Sequence, residues 1–185
     1  MPASRFPYRR VNVIGTSSSG KTTLARELAR RLELPCIELD VLNWEANWQA
    51  AAPEAFRART SAAIAADAWV VDGNYSAVRD LVWGRAEAIV WLDYPLRTIL
   101  WRYALRTQRR LRSGEELWPG TGNRERLANV LGREGLLWWI LSTYRRRRRE
   151  YPQRLAANPR LRAIRLRSPA EAAAWLAELE PMPER

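Results

Sequence analysis

Apolar and polar positions along this chain fall into blocks that switch between two periods. Val11-Asn12-Val13-Ile14 is a short apolar run, and Leu24, Leu28 and Leu32 follow it at four-residue spacing. A four-residue recurrence puts side chains on one helical face. The pattern therefore predicts a strand over residues 10–14 and a helix over 23–32. Residues 36–39 predict a second strand ending at Asp40, and 53–67 a helix with Pro53 near its start. Trp69-Val70-Val71 predicts a third strand ending at Asp72-Gly73, and residues 88–92 a fourth ending at Asp93. Pro95 opens a long helix to about Leu111. Residues 113–123 hold Gly114, Pro119, Gly120 and Gly122 and read as a loop. A helix over 135–151, a fifth strand over 161–166 and a closing helix over 169–179 complete the order. In the last, Ala172, Leu176 and Leu179 share a face.

Strands separated by helices imply parallel pairing with right-handed crossovers. The expected fold class is α/β: three layers around a five-stranded parallel sheet, with one domain spanning residues 1–185. Ligands of such sheets bind at the C-terminal ends of the strands. Asp40, Asp72 and Asp93 each follow the last apolar residue of a strand, so three carboxylates are expected along that edge.

Composition narrows the chemistry. Hydrophobic residues make up 47% of the chain, enough for a packed core and against disorder. No apolar run approaches the roughly 20 residues that cross a bilayer, and residues 1–8 lack the apolar stretch of a signal peptide. Cys36 is the only cysteine; it fits a reducing cytoplasm and reads as a small buried hydrophobe rather than a nucleophile. No membrane partner is expected. There is no histidine, which removes Ser-His-Asp and Cys-His catalysis and most zinc sites. Phosphoryl transfer fits what remains, because it needs positioning and charge neutralisation more than covalent help. The net charge of +11 favours polyanionic ligands.

Of 31 lysines and arginines only one is a lysine, Lys21, and it lies in Gly15-Thr16-Ser17-Ser18-Ser19-Gly20-Lys21-Thr22. This is the phosphate-loop pattern G-x-x-x-x-G-K-[ST], between a predicted strand and a predicted helix, as that motif requires. Residues Gly15 to Thr23 are the expected nucleotide site: backbone N–H groups and the helix N-terminus face phosphate oxygens. Lys21 is a compact point charge that a planar guanidinium does not replace. Many such loops carry glycine at the position of Ser18. The expected cofactors are ATP and Mg²⁺, with Thr22 as a first metal ligand and a carboxylate completing the shell. Asp72 is the first candidate and Asp93 the second.

Asp40 lies on the acceptor side, as a base toward a hydroxyl or as a binding group. Trp44 and Trp48 follow it at helical spacing and could face a flat acceptor. Arg102, Arg106 and Arg110 recur every four residues and lead into the glycine-rich segment; Arg102 and Arg106 are the candidates for neutralising transferred charge. Arg145 to Arg149 spans more than one helical turn, so most of it is expected in solvent or over aromatic neighbours, with a minority reaching the lid. Trp138 and Trp139 read as core.

With these residues placed, the chain resembles the P-loop nucleoside and nucleotide kinases, adenylate kinase-like proteins above all, and within them small bacterial adenylate kinase-related or DNA topology modulation proteins. Asp72-Gly73 matches the Asp-Gly pair after the third strand of adenylate kinases, and Asp93-Tyr94-Pro95 with Arg102 and Arg106 matches their exit from the fourth strand and two catalytic arginines. Asn74-Tyr75-Ser76 replaces their Phe-Pro-Arg, so the arginine that grips the acceptor phosphate is absent at Ser76, and Arg79 is the nearest substitute. The resemblance implies a P-loop fold, a lid-like segment over about 107–134 without zinc ligands, and Mg²⁺-dependent transfer of the ATP γ-phosphate to a small acceptor held by Asp40, Trp44 and Arg79. The alternative is a nucleotide-dependent factor associated with DNA or RNA. A guanine reader of the Asn-Lys-x-Asp type is excluded, since no second lysine exists.

Overall fold

The computed structural model describes residues 4–118, 120–125 and 135–180. Part of the expected lid-like span, 119 and 126–134, lies outside the described residues. The main sheet has five parallel strands in the order β3 (Cys36–Glu38), β4 (Trp69–Asp72), β2 (Arg10–Gly15), β5 (Ala88–Leu92) and β6 (Arg162–Leu166). Each matches an expected strand. A two-residue strand, β1 (Ser4–Arg5), pairs in parallel with β7 (Leu179–Glu180). The sequence reading missed that pair, because two residues carry no periodicity.

Alternation along the strands divides the core into two layers, as a two-residue side-chain period demands. Val11, Val13, Val70, Ala88, Val90 and Leu92 face one side. There they pack against α1 (Lys21–Leu32) through Leu24 and Leu28, and against α5 (Leu96–Ser113) through Ile99 and Tyr103. Ile14, Trp69, Val71, Ile89 and Trp91 face the other. That side is covered by Leu39 of α2 (Leu39–Asn43), Phe56 of α3 (Pro53–Ala63) and Val82 and Trp83 of α4 (Arg79–Arg85). The long helix α6 (Leu136–Ala156) serves both layers, with Ile140 in the first and Tyr151 in the second. Arg147 and Arg148 fall between these two anchors. A final helix, α7 (Pro169–Ala177), is capped by Ser168, whose hydroxyl accepts from Glu171 N–H at 3.1 Å.

The order 3-4-2-5-6 places β2 in the centre. The chain leaves it toward β3 on one side and later crosses to β5 on the other. A crevice forms where connections diverge in this way, and here it lies at Gly15.

One polar residue interrupts the apolar face of β2. Asn12 is 1% exposed. Its amide donates to Val71 O at 3.1 Å and Gly73 O at 2.9 Å, and its oxygen accepts from Trp83 Nε1 at 3.1 Å. These bonds pin the backbone around Asp72. Asn12→Ala leaves the Trp83 indole N–H buried without its acceptor, which is expected to cost roughly 2–3 kcal/mol. Urea unfolding reads this as a lower midpoint at constant slope; an unchanged midpoint contradicts it.

Candidate functional site

Residues Gly15 to Thr22 turn directly from β2 into α1. Space at the first glycine is already filled: a Cβ on Gly15 would lie 2.8 Å from Ser19 Oγ and 2.9 Å from Leu92 O. Gly20 opens α1 at φ 94°, and a Cβ there would lie 2.6 Å from Arg102 Nη1. Both positions need glycine for physical reasons. Ser18, where many such loops have glycine, adopts φ 66°, a left-handed conformation that costs a non-glycine residue about 1 kcal/mol.

No side chain caps α1, and its first turn holds no acid, so its leading N–H groups face the loop. Among the described residues, Ser18 Oγ, Ser19 Oγ and Asp72 Oδ1 are buried without a hydrogen-bond partner. The cradle thus offers donors for an anion and one free carboxylate oxygen for a cation. The other oxygen, Asp72 Oδ2, accepts from Thr22 Oγ1 at 2.5 Å. A hydroxyl and a carboxylate so joined are an oxygen donor set suited to Mg²⁺, which commonly takes only one or two protein ligands beside phosphate oxygens and water.

Lys21 Nζ reaches back to Thr16 O at 3.3 Å. Burial pushes this ammonium below its ordinary value, opposed by Asp72 and Asp40 and reinforced by Arg147 and Arg106. Asp72 moves the other way. Burial raises its carboxyl to about 6, against the pull of Lys21 and the Thr22 hydrogen bond.

The arginine stripe of α5 divides its work. Arg102 Nη1 donates to Ser19 O at 2.8 Å and lies over the Tyr94 ring. Arg106 lies one turn on; burial first, then Arg110, lowers its guanidinium to about 10. Its Nε and one Nη are buried without a partner among the described residues. Arg110 closes the row against Glu125 at 3.3 Å.

Asp40 lies in the first turn of α2 rather than at a strand end, because β3 stops at Glu38. Its Oδ1 accepts the Tyr75 hydroxyl at 2.6 Å. Trp44 caps α2, whereas Trp48 sits in a separate 3₁₀ turn, Ala46–Trp48. The two do not share a helix face, since Asn47 and Trp48 both have positive φ. Arg79 opens α4 and lies over Trp83 at 5.8 Å.

Asp93, the second metal candidate, is committed elsewhere. It is buried, with Arg148 Nε 2.8 Å from Oδ1 and Arg165 Nη2 2.5 Å from Oδ2. Two guanidinium groups neutralise both oxygens, which removes the reason to give this carboxylate a cation. The arginine run thereby explains itself in part: Arg148 ties α6 to Asp93 at the end of β5. Arg147 lies over Trp139 at 5.5 Å, and its Nη1 is buried without a partner among the described residues. Burial lowers its guanidinium, and Arg79 adds to that. Its position between Ile140 and Tyr151 on a helix that crosses the sheet edge was not readable from a run of five identical residues. Trp138 and Trp139 are 53% and 49% exposed, not core, because Ile140 takes the inward face. Cys36 is half-buried, and burial, then Glu38, pushes its thiol up to about 11, unsuited to nucleophilic attack.

No protein-family model matches the chain, and no curated protein matches it. Solved structures share its architecture. A gluconokinase from Sinorhizobium meliloti 1021 superimposes with a TM-score of 0.53 at 23% identity, covering 94% of each chain. An unliganded sugar kinase from Janibacter sp. HTCC2649 gives 0.52 at 19%, covering 92% of this chain and 91% of that one. Shikimate kinase from Bacteroides thetaiotaomicron gives 0.53 at 18%, covering 92% and 95%. At these identities the likeness is one of fold: the chain has the P-loop kinase fold.

Asp72 makes stability depend on pH in a defined direction. Its carboxyl is held near 6 in the fold against an ordinary 3.8, so the native state binds the proton more tightly than the unfolded chain. Stability from this group falls as pH rises from about 4 to about 6. Asp72→Asn is expected to gain roughly 3 kcal/mol over the unmodified protein at pH 7 and under about 1 kcal/mol at pH 4. Denaturant unfolding at both values measures it; equal stability at pH 7 contradicts it.

Proposed function

We propose that this protein is an ATP-dependent phosphotransferase acting on a hydroxyl group of a small anionic molecule. The observation that carries this reading is the position of Asp40. It lies within the fields of Lys21 and Arg106, on the opposite side of the cradle from the Arg148–Arg165 cluster. The fold supports it, since the similar solved structures are small-molecule kinases.

In this reading residues 1–185 work as one unit. The backbone of residues 15–20 and Lys21 hold the nucleotide phosphates, with Thr23 at the first turn of α1. Thr22 and Asp72 hold Mg²⁺, which when bound supplies charge neutralisation on the phosphate oxygens. Arg102 and Arg106 meet the charge that develops on the transferred group. Asp40 takes the proton of the acceptor hydroxyl as the hydroxyl oxygen bonds to the γ-phosphorus. The bond from that phosphorus to the bridging oxygen breaks, and its electron pair leaves with ADP.

The anionic character of the acceptor follows from Arg79 and Arg147. Arg79 is among the charges that lower the Arg147 guanidinium, and two repelling cations gain from a shared carboxylate or phosphate. Trp44, beside Tyr75, supplies an apolar wall. Ser76 has no guanidinium to grip a second nucleotide, so the donor half is adenylate kinase-like while the acceptor is not AMP.

The test is transfer of labelled γ-phosphate to a panel of hydroxy acids, sugars, sugar phosphates, nucleosides and nucleoside monophosphates. The expected result is product only with a hydroxyl compound that carries a carboxylate or phosphate. Asp40→Asn should lower kcat at least about a hundredfold with ATP affinity retained, and Arg147→Ala should raise the acceptor KM by roughly tenfold or more. ATP binding with no transfer to any member, or transfer to AMP alone, overturns the reading.

A further inference from the structure

The segment after α5 is fastened to the acceptor side. Trp118 stacks on Trp44 with ring centres 5.6 Å apart and planes at 15°. Trp48 meets both edge-on, at 6.1 and 5.5 Å. Asn123, 2% exposed, makes the polar half of the joint. Its amide donates to Glu45 O at 2.8 Å, and its Oδ1 accepts from Trp48 N–H at 2.9 Å.

Both halves are shaped for this meeting. On one, Leu117 N–H donates to Asn123 O at 2.8 Å, Thr121 Oγ1 to Trp118 O at 2.8 Å and Gly122 N–H to Glu116 Oε1 at 2.6 Å. On the other, Glu45 N–H donates to Gln49 O at 2.8 Å, closing a small turn. That turn holds Asn47 and Trp48 at φ 58° and 60°, and two consecutive non-glycine residues in that region cost about 1–2 kcal/mol each. The strained turn presents the Trp48 N–H that Asn123 accepts. Backbone strain of this kind persists only where surrounding contacts over-determine it.

The joint links two parts that the reaction must bring together. Residues 44–50 follow the helix that bears Asp40, and Trp118 follows the helix that bears Arg102 and Arg106. Resting on the phosphotransferase reading above, we propose that Trp118 and Asn123 are specificity-determining residues. They latch the arginine-bearing side to the acceptor side and so keep water from serving as acceptor. With the latch open, a water oxygen bonds to the γ-phosphorus, the bond to the ADP oxygen breaks, and ADP, inorganic phosphate and one proton are released. A closed cleft suppresses that reaction by excluding the water.

The test uses the full chain with ATP and Mg²⁺ and no acceptor, comparing the unmodified protein with Asn123→Ala, Trp118→Ala and the bulk-retaining Trp118→Phe. Stacked indoles give an exciton couplet in far-ultraviolet circular dichroism, which reports the latch independently of chemistry. The unmodified protein should show the couplet, and both Trp118 variants should reduce it to the signal of the remaining Trp44–Trp48 pair. Asn123→Ala and Trp118→Ala should raise acceptor-independent phosphate release by about tenfold at unchanged ATP affinity. A variant merely damaged in folding would lower it. No couplet in the unmodified protein, or a couplet with phosphate release unmoved in the folded variants, overturns the latch. An unmodified protein that shows the couplet but binds no ATP overturns the phosphotransferase reading instead.

Discussion

A buried carboxylate and a half-buried ammonium that attract each other are the constraint on which the rest of this structure depends. Asp72 and Lys21 come from two neighbouring strands and the loop that leaves one of them, and burial works against the charged form of both. Their mutual attraction offsets only part of that penalty, as expected for charges removed from water. A fold maintains such an arrangement when a ligand relieves it. Here Asp72 Oδ1 and the Ser18 and Ser19 hydroxyls are buried without a hydrogen-bond partner among the described residues, and no side chain caps the start of α1. Asn12, beneath them, holds the backbone on which Asp72 stands.

The arginines arrange themselves around that centre by a division of labour. Those that meet a carboxylate become structural: Arg148 and Arg165 on Asp93, Arg110 on Glu125, Arg57 on Asp80. Arg106 and Arg147 meet no carboxylate among the described residues, and each is half-buried with at least one guanidinium nitrogen that has no hydrogen-bond partner there. At position 21 the cation is an ammonium that reaches back to Thr16 O at 3.3 Å, a compact point charge that a planar guanidinium fork does not reproduce.

Much of this was legible in the sequence. Each of the five strands was found within a residue or two; the three central ones, β2, β4 and β5, are buried almost throughout and read as nearly continuous apolar runs, as parallel strands covered on both faces must. The phosphate loop was legible because its glycines are demanded by the backbone itself. What escaped notice depends on contacts distant in sequence. The α4 helix is seven residues long and follows a 3₁₀ turn, so it has no period of its own. Arg147 differs from its four neighbours only in where α6 crosses the sheet. Asp93 reads as a metal ligand until the guanidinium groups of Arg148 and Arg165, 55 and 72 residues away, are set against it. The tryptophan cluster draws on residues 44, 48 and 118, and the spacing of the first two suggested a helix that the left-handed turn at Asn47 breaks.

The central claim, that residues 15–22 grip a polyphosphate through a lysine whose shape matters as much as its charge, is tested most directly by calorimetric titration of MgATP into the protein and into Lys21→Arg. The account predicts saturable one-to-one binding by the former and none by the latter, with both chains folded. Equal affinity in the two, or no binding by the unmodified protein, would contradict it.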